Sequence, residues 1–103
     1  MKKGYKDLLA EADALVEAVD AAEAARLHGV SNVVFVDLRD PREREREGTI
    51  ASAFSCPRGM LEFWIDPESP YHNPVFAEGK LFLFFCARGW RSALATKTAL
   101  EMG

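Results

Sequence analysis

Cys86 stands where a thiol can become a nucleophile. It follows a run of large apolar residues, Leu81-Phe82-Leu83-Phe84-Phe85, and precedes Ala87-Arg88-Gly89-Trp90-Arg91-Ser92. The segment Ala93 to Met102 then reads as a helix. A buried strand would deliver the thiol to a tight loop that opens on a helix N-terminus. Unpaired N–H groups and the positive end of the helix dipole point into such a loop. This setting favours thiolate over thiol and can hold an anion beside it. Arg88 and Arg91 add positive charge, and Gly89 permits a turn with positive φ. The competing reading is an inert packing cysteine at a strand end. It does not account for two arginines and a glycine within five residues.

The elements that must position this loop can be read along the chain. Tyr5 to about Ala14 has helical spacing, with Leu8, Leu9 and Ala12 on one side. Leu15 to Val19 either continues that helix or forms a short first strand. Asp20-Ala21-Ala22-Glu23 has the pattern of a capping box, opening a helix that ends at Gly29. Val33-Val34-Phe35-Val36 reads as a buried parallel strand. Pro41 starts a charged helix over 41–47, in which arginines alternate with glutamates and which reads as a solvated face. Residues 48–53 are a loop of small residues, and Phe54-Ser55-Cys56 is a short strand halted by Pro57. Arg58 to Ile65 looks helical, 66–73 is a loop, and Pro74 to Glu78 is one helical turn ending at Gly79.

Alternating strands and helices predict a single α/β domain over residues 1–103, in three α/β/α layers around a mainly parallel sheet. Neither Leu81–Phe85 nor Val33–Val36 alternates in polarity. Leu81–Phe85 is therefore expected at the centre of the sheet, with Val33–Val36 beside it. Ligands in such sheets bind beyond the C-terminal ends of strands, where Cys86 falls.

A net charge of −3 over 103 residues argues against a nucleic-acid surface. No apolar stretch approaches the length of a membrane span, and no secretory apolar core follows the basic first residues. Two cysteines imply no disulfide framework, so a reduced, cytoplasmic protein is expected. His28 and His72 lack the partners of a metal site, and no metal or other cofactor is expected.

Taken together, the blocks resemble the rhodanese family of sulfurtransferases from about Asp20 to Met102. Val36-Asp37-Leu38-Arg39-Asp40-Pro41-Arg42-Glu43 is similar to the family's Asp-Val-Arg-x-x-x-Glu signature. Gly48-Thr49-Ile50-Ala51-Ser52-Ala53 is similar to its Gly-His-Ile-Pro-Gly-Ala segment. Thr49 replaces His there, and Ala51-Ser52 replace Pro-Gly, a segment read as packing and turn geometry. The resemblance implies a Cys86 persulfide, loaded from a small donor such as thiosulfate and unloaded by a thiol, cyanide or a protein acceptor. Arg91 aligns with the arginine that closes the family's six-residue loop. Arg88 either orients an anionic donor or is a solvated rim residue. Ser92 caps the last helix or bonds the persulfide, and Trp90 offers an apolar rim. Asp37 and Arg39 are secondary candidates, read first as a loop-stabilising ion pair, and Arg58 is a third. Cys56 is read as a bystander.

Family sheets run 3-2-4-5-1 and continue past a point like Glu101-Met102-Gly103 with a further strand and helix. The sheet is thus expected to be incomplete at its C-terminal side. Its fourth and first strands then face a gap or close together, and strand exchange, a dimer or remodelling of residues 1–19 is expected to cover the open edge. Two rivals accompany the sulfurtransferase reading. One is a phosphatase or arsenate reductase. The dual-specificity phosphatases of this fold use one more loop residue than the six from Cys86 to Arg91. The other is a non-catalytic rhodanese-like module that binds partners.

Overall fold

The computed structural model describes residues 1–103. In chain order its helices are α1 (Tyr5–Leu15), α2 (Ala21–Leu27), α3 (Pro41–Glu47), α4 (Leu61–Ile65) and α5 (Trp90–Met102). Its strands are β1 (Val33–Asp37), β2 (Phe54–Ser55) and β3 (Leu81–Phe85). Short 3-10 turns cover Arg58–Met60 and Pro74–Ala77.

Local chemistry sets these boundaries. The Asp20 side chain accepts the Glu23 N–H at 2.8 Å and caps α2. Asp40 accepts from Arg42 N at 2.8 Å while Glu43 accepts from Asp40 N at 3.2 Å, a reciprocal box ahead of Pro41. Gly48, with φ of +75°, stops α3. The segment expected as one helix over 58–65 divides into a 3-10 turn and α4. Residues 16–20 are neither helix nor strand.

All three strands are parallel, in the order β2-β1-β3. Val33 to Asp37 lie opposite Leu81 to Phe85, residue for residue. Here the structure corrects the sequence reading, because β1 is central and β3 lies at an edge. Apolar runs without alternation mark strands shielded on both faces but do not rank them within a sheet. Burial follows position: Val36 and Asp37 are fully buried, whereas Leu81 is half exposed.

The layers follow from the pleat. Val34, Val36, Phe82 and Phe84 pack with Leu61 of α4 and Ala95 of α5 on one face. On the other, Phe35 meets His28 edge-on at 5.6 Å, and Arg39 lies over the Phe85 ring. Helix α1 packs against α5, and the Tyr5 and Trp90 rings lie 5.3 Å apart. Between residues 16–19 and the outer edge of β3 runs a mostly apolar cleft of about 540 Å³. No first strand forms in residues 15–19, and residues 16–19 line this cleft beside the outer edge of β3.

Candidate active site

Backbone pairing continues past the strand ends and braces the C-terminal end of the sheet. Leu38 N donates to Phe85 O at 3.0 Å, Cys56 N to Asp37 O at 3.0 Å, and Arg58 N to Leu38 O at 3.1 Å. The chain after β1, β2 and β3 therefore leaves the sheet on the same side. Cys86 departs here and enters a turn closed by Gly89, which adopts φ +83° as the N-cap residue of α5. A side chain at this backbone angle would be strained, so the glycine sets the loop's shape.

The turn folds back on the thiol. Gly89 N–H donates to Cys86 Sγ at 3.2 Å and Ser92 N–H at 3.4 Å. Ser92 Oγ lies 3.7 Å from the sulfur and donates to Gly89 O at 3.1 Å. Burial pushes the Cys86 pKa up. Hydrogen bonds from Ser92, Arg88 and Gly89 outweigh it and hold the pKa below the usual thiol value. Cys86, Gly89 and Ser92 also line the cleft beside β3, with Val16 and Asp13 across from them.

Arg91 does not point free into the loop. Its Nη1 donates to Glu43 Oε1 at 2.7 Å and its Nη2 to Glu43 Oε2 at 3.0 Å. The Arg91 hydrogen bond, with help from the Asp40 N–H, lowers the Glu43 pKa to about 2. Arg88 is exposed and forms no ion pair. Trp90 is half exposed at the rim, against Tyr5.

Asp37 and Arg39 form a structural clamp. The buried Asp37 carboxylate accepts from Arg39 N, Nε and Nη2, each at 3.0 Å, and from Thr49 Oγ1 at 2.7 Å. Arg44 Nε lies 3.1 Å from the same carboxylate, and Arg39 Nη2 also donates to Gly48 O at 2.7 Å. The clamp pins the loop after α3 to the end of β1. Burial raises the Asp37 pKa, and these hydrogen bonds more than reverse it. Arg58 pairs with Glu62 at 2.8 Å and does not line the Cys86 cleft. Cys56 is fully buried, and its pKa is pushed up to about 12 by that burial. Among all residues, no group of three metal-ligating side chains comes together.

One site-shaping residue escaped sequence reasoning as an individual, Glu43, while Thr49 was read only as part of a packing and turn segment and its hydroxyl bond to Asp37 was not foreseen. Glu43 closes the Asp-x-Arg-x-x-x-Glu block, so its place in the motif was the available signal. Residues 13–19 were not read as a wall of the cleft. Nothing in their composition marks them as one.

The chain belongs to the rhodanese-like domain family, whose model matches residues 20–103. It is similar, at 57% identity and a TM-score of 0.97, to a solved protein of unknown function from Rhodopseudomonas palustris. That protein is described as a "possible tyrosine phosphatase"; the match covers 100% of this chain and 80% of the other. No curated protein matches the sequence. No helix is long and apolar enough to cross a membrane.

Proposed function

We propose that the protein is a sulfurtransferase that carries sulfane sulfur on Cys86. The observation that carries this reading is the convergence of the Gly89 and Ser92 N–H groups on one sulfur. Fixed N–H donors stabilise a thiolate before reaction and a persulfide anion after it, without reorganising the loop. With thiosulfate, the thiolate attacks the outer sulfur, the S–S bond breaks, and sulfite leaves with the electron pair. The product is the Cys86 persulfide. Cyanide or a thiolate then attacks the terminal sulfur and regenerates the Cys86 thiolate. A reducing compartment such as the cytoplasm suits this cycle, because Cys86 must return to the free thiolate.

The description of the Rhodopseudomonas palustris protein supports a second reading, phosphoryl transfer through a Cys86 phosphocysteine. The six-residue span from Cys86 to Arg91 favours sulfur, since a phosphoryl group needs a wider ring of N–H donors. Mass spectrometry after exposure to thiosulfate tests both readings. A gain of one sulfur on the Cys86 peptide, removed by cyanide, supports sulfur transfer. Hydrolysis of an aryl phosphate without that gain replaces it with the phosphatase. Absence of both activities leaves the partner-binding module. The unpaired outer edge of β3 supports self-association through strand pairing, and light scattering showing a strict monomer would remove that expectation.

A further inference from the structure

Arg91 is the arginine that a loop of this kind would turn toward an oxyanion, yet its terminal fork is already engaged. Both terminal nitrogens donate to the two oxygens of Glu43, in the parallel geometry a guanidinium would use to grip a phosphate or sulfonate. Glu43 is itself held in place. Its Oε1 also accepts the Asp40 N–H within the capping box of α3. The pair is only partly exposed, with 38% of the Arg91 side chain and 21% of the Glu43 side chain open to solvent. An incoming oxyanion would have to compete with a carboxylate already seated on the fork. Arg88, exposed and without an ion pair, is the remaining loop cation. The backbone donors around Cys86 are unaffected by this arrangement and suit a single sulfur atom.

We infer that Glu43 is a specificity-determining residue: it reserves Arg91, biases the Cys86 loop against tetrahedral oxyanions, and directs it toward organic persulfides as sulfur donors. This rests on the sulfur-transfer reading. With a donor R–S–SH, the Cys86 thiolate attacks the outer sulfur. The S–S bond breaks and RS⁻ leaves with its electron pair. The transferred sulfur keeps its proton as Cys86–S–SH. No outside oxidant or reductant enters. Thiosulfate carries a sulfonate end that the loop must accommodate, so it should be the poorer donor.

The test compares full-length wild type with Glu43→Gln, which keeps an oxygen for the Asp40 cap but removes the charge that holds Arg91. Two readouts are taken. The first is kcat/KM for thiosulfate relative to the persulfide of 2-mercaptoethanol, a donor with no charged group on R. The second is the rise in melting temperature caused by inorganic phosphate, which needs no activity. In Glu43→Gln the thiosulfate-to-persulfide ratio should rise about fivefold or more, mainly through a lower KM for thiosulfate. Phosphate should stabilise the variant more than wild type. Glu43→Asp, too short to keep both contacts, should shift both readouts the same way by less, and it stands in if Glu43→Gln does not fold. Ratios within about twofold and equal phosphate effects would overturn the role of Glu43. If neither protein takes sulfur from either donor, sulfur transfer itself fails. The phosphate measurement then still decides whether Glu43 guards Arg91.

Discussion

Cys86 and Cys56 each follow the last residue of a parallel strand, at the same C-terminal end of one sheet but on its opposite outer strands, yet their thiols are driven in opposite directions. Behind Cys86 the chain turns through Gly89 and starts the long helix α5, so two backbone N–H groups face the sulfur. Behind Cys56 comes Pro57, which has no N–H to offer, and then a short 3-10 turn. Cys56 is sealed among Val36, Leu38, Leu61 and Ala95. Burial without donors lifts its pKa to about 12, whereas donors lower that of Cys86 despite burial. A strand end therefore does not by itself lower a thiol's pKa. The peptide groups that follow it do.

The sharpest way to break this contrast is to remove each sulfur in turn. Cys86→Ser should lose sulfur transfer by a factor on the order of a thousand or more while keeping its circular dichroism spectrum. Cys56→Ser should keep the rate within about threefold, with a loss of stability from placing a hydroxyl in an apolar site. Equal losses in both variants would end the distinction. A smaller effect is expected from Gly89→Ala. The added Cβ at φ +83° costs roughly 1 kcal/mol and shifts the N–H that reaches Sγ. The pH profile of iodoacetamide labelling at Cys86 should move to higher pH.

The two thiols should also leave opposite marks on stability in alkali. Cys56 binds its proton more tightly folded than unfolded, so its contribution is intact below the unfolded thiol value. It is lost as pH rises from there toward about 12. The Cys86 pKa is lowered on folding, so its contribution is absent at low pH. It grows as pH passes the folded value and is complete above the unfolded one. Urea titrations from pH 8 to 11 should show a shallower alkaline loss in Cys56→Ala and a steeper one in Cys86→Ser. The smallest effect expected is at Ser52, the lone non-glycine residue with positive φ, at +65°. Ser52→Gly should relieve that strain and stabilise the fold by about 0.5 kcal/mol, net of the greater freedom of the unfolded chain. The labelling contrast between the two thiols should not change.

Much of this was legible because it is local. The run ending at Phe85, the Gly89 turn and the helix after it share one short stretch, and their chemistry follows from order alone. The cap at Asp20 and the helix start at Pro41 were legible for the same reason. The Ser52 turn was not legible, since nothing in Ala51-Ser52-Ala53 marks the serine for a left-handed backbone. What else stayed hidden depends on neighbours distant in sequence. The rank of β3 in the sheet depends on which strands flank it, and an apolar run does not encode that. The Glu43–Arg91 pair joins residues 48 positions apart. The alternating charges of α3 read as a solvated face, although Arg44 reaches the buried Asp37 and Glu43 reaches the loop.

The 48-residue reach of that pair also bears on how the protein is made. Synthesis runs from the N-terminus, so α3 and its glutamate exist well before the cysteine loop leaves the ribosome. The donors that tame Cys86 appear only when the first turn of α5 has formed. Until then its sulfur is an ordinary thiol, mostly protonated at neutral pH and slow to react. If Cys86 carries sulfur as proposed, its reactivity is thus acquired at the close of folding rather than carried through it. A nascent or locally unravelled chain is spared the side reactions its finished form invites. The labelling rate of one cysteine becomes a gauge of whether the last helix is seated.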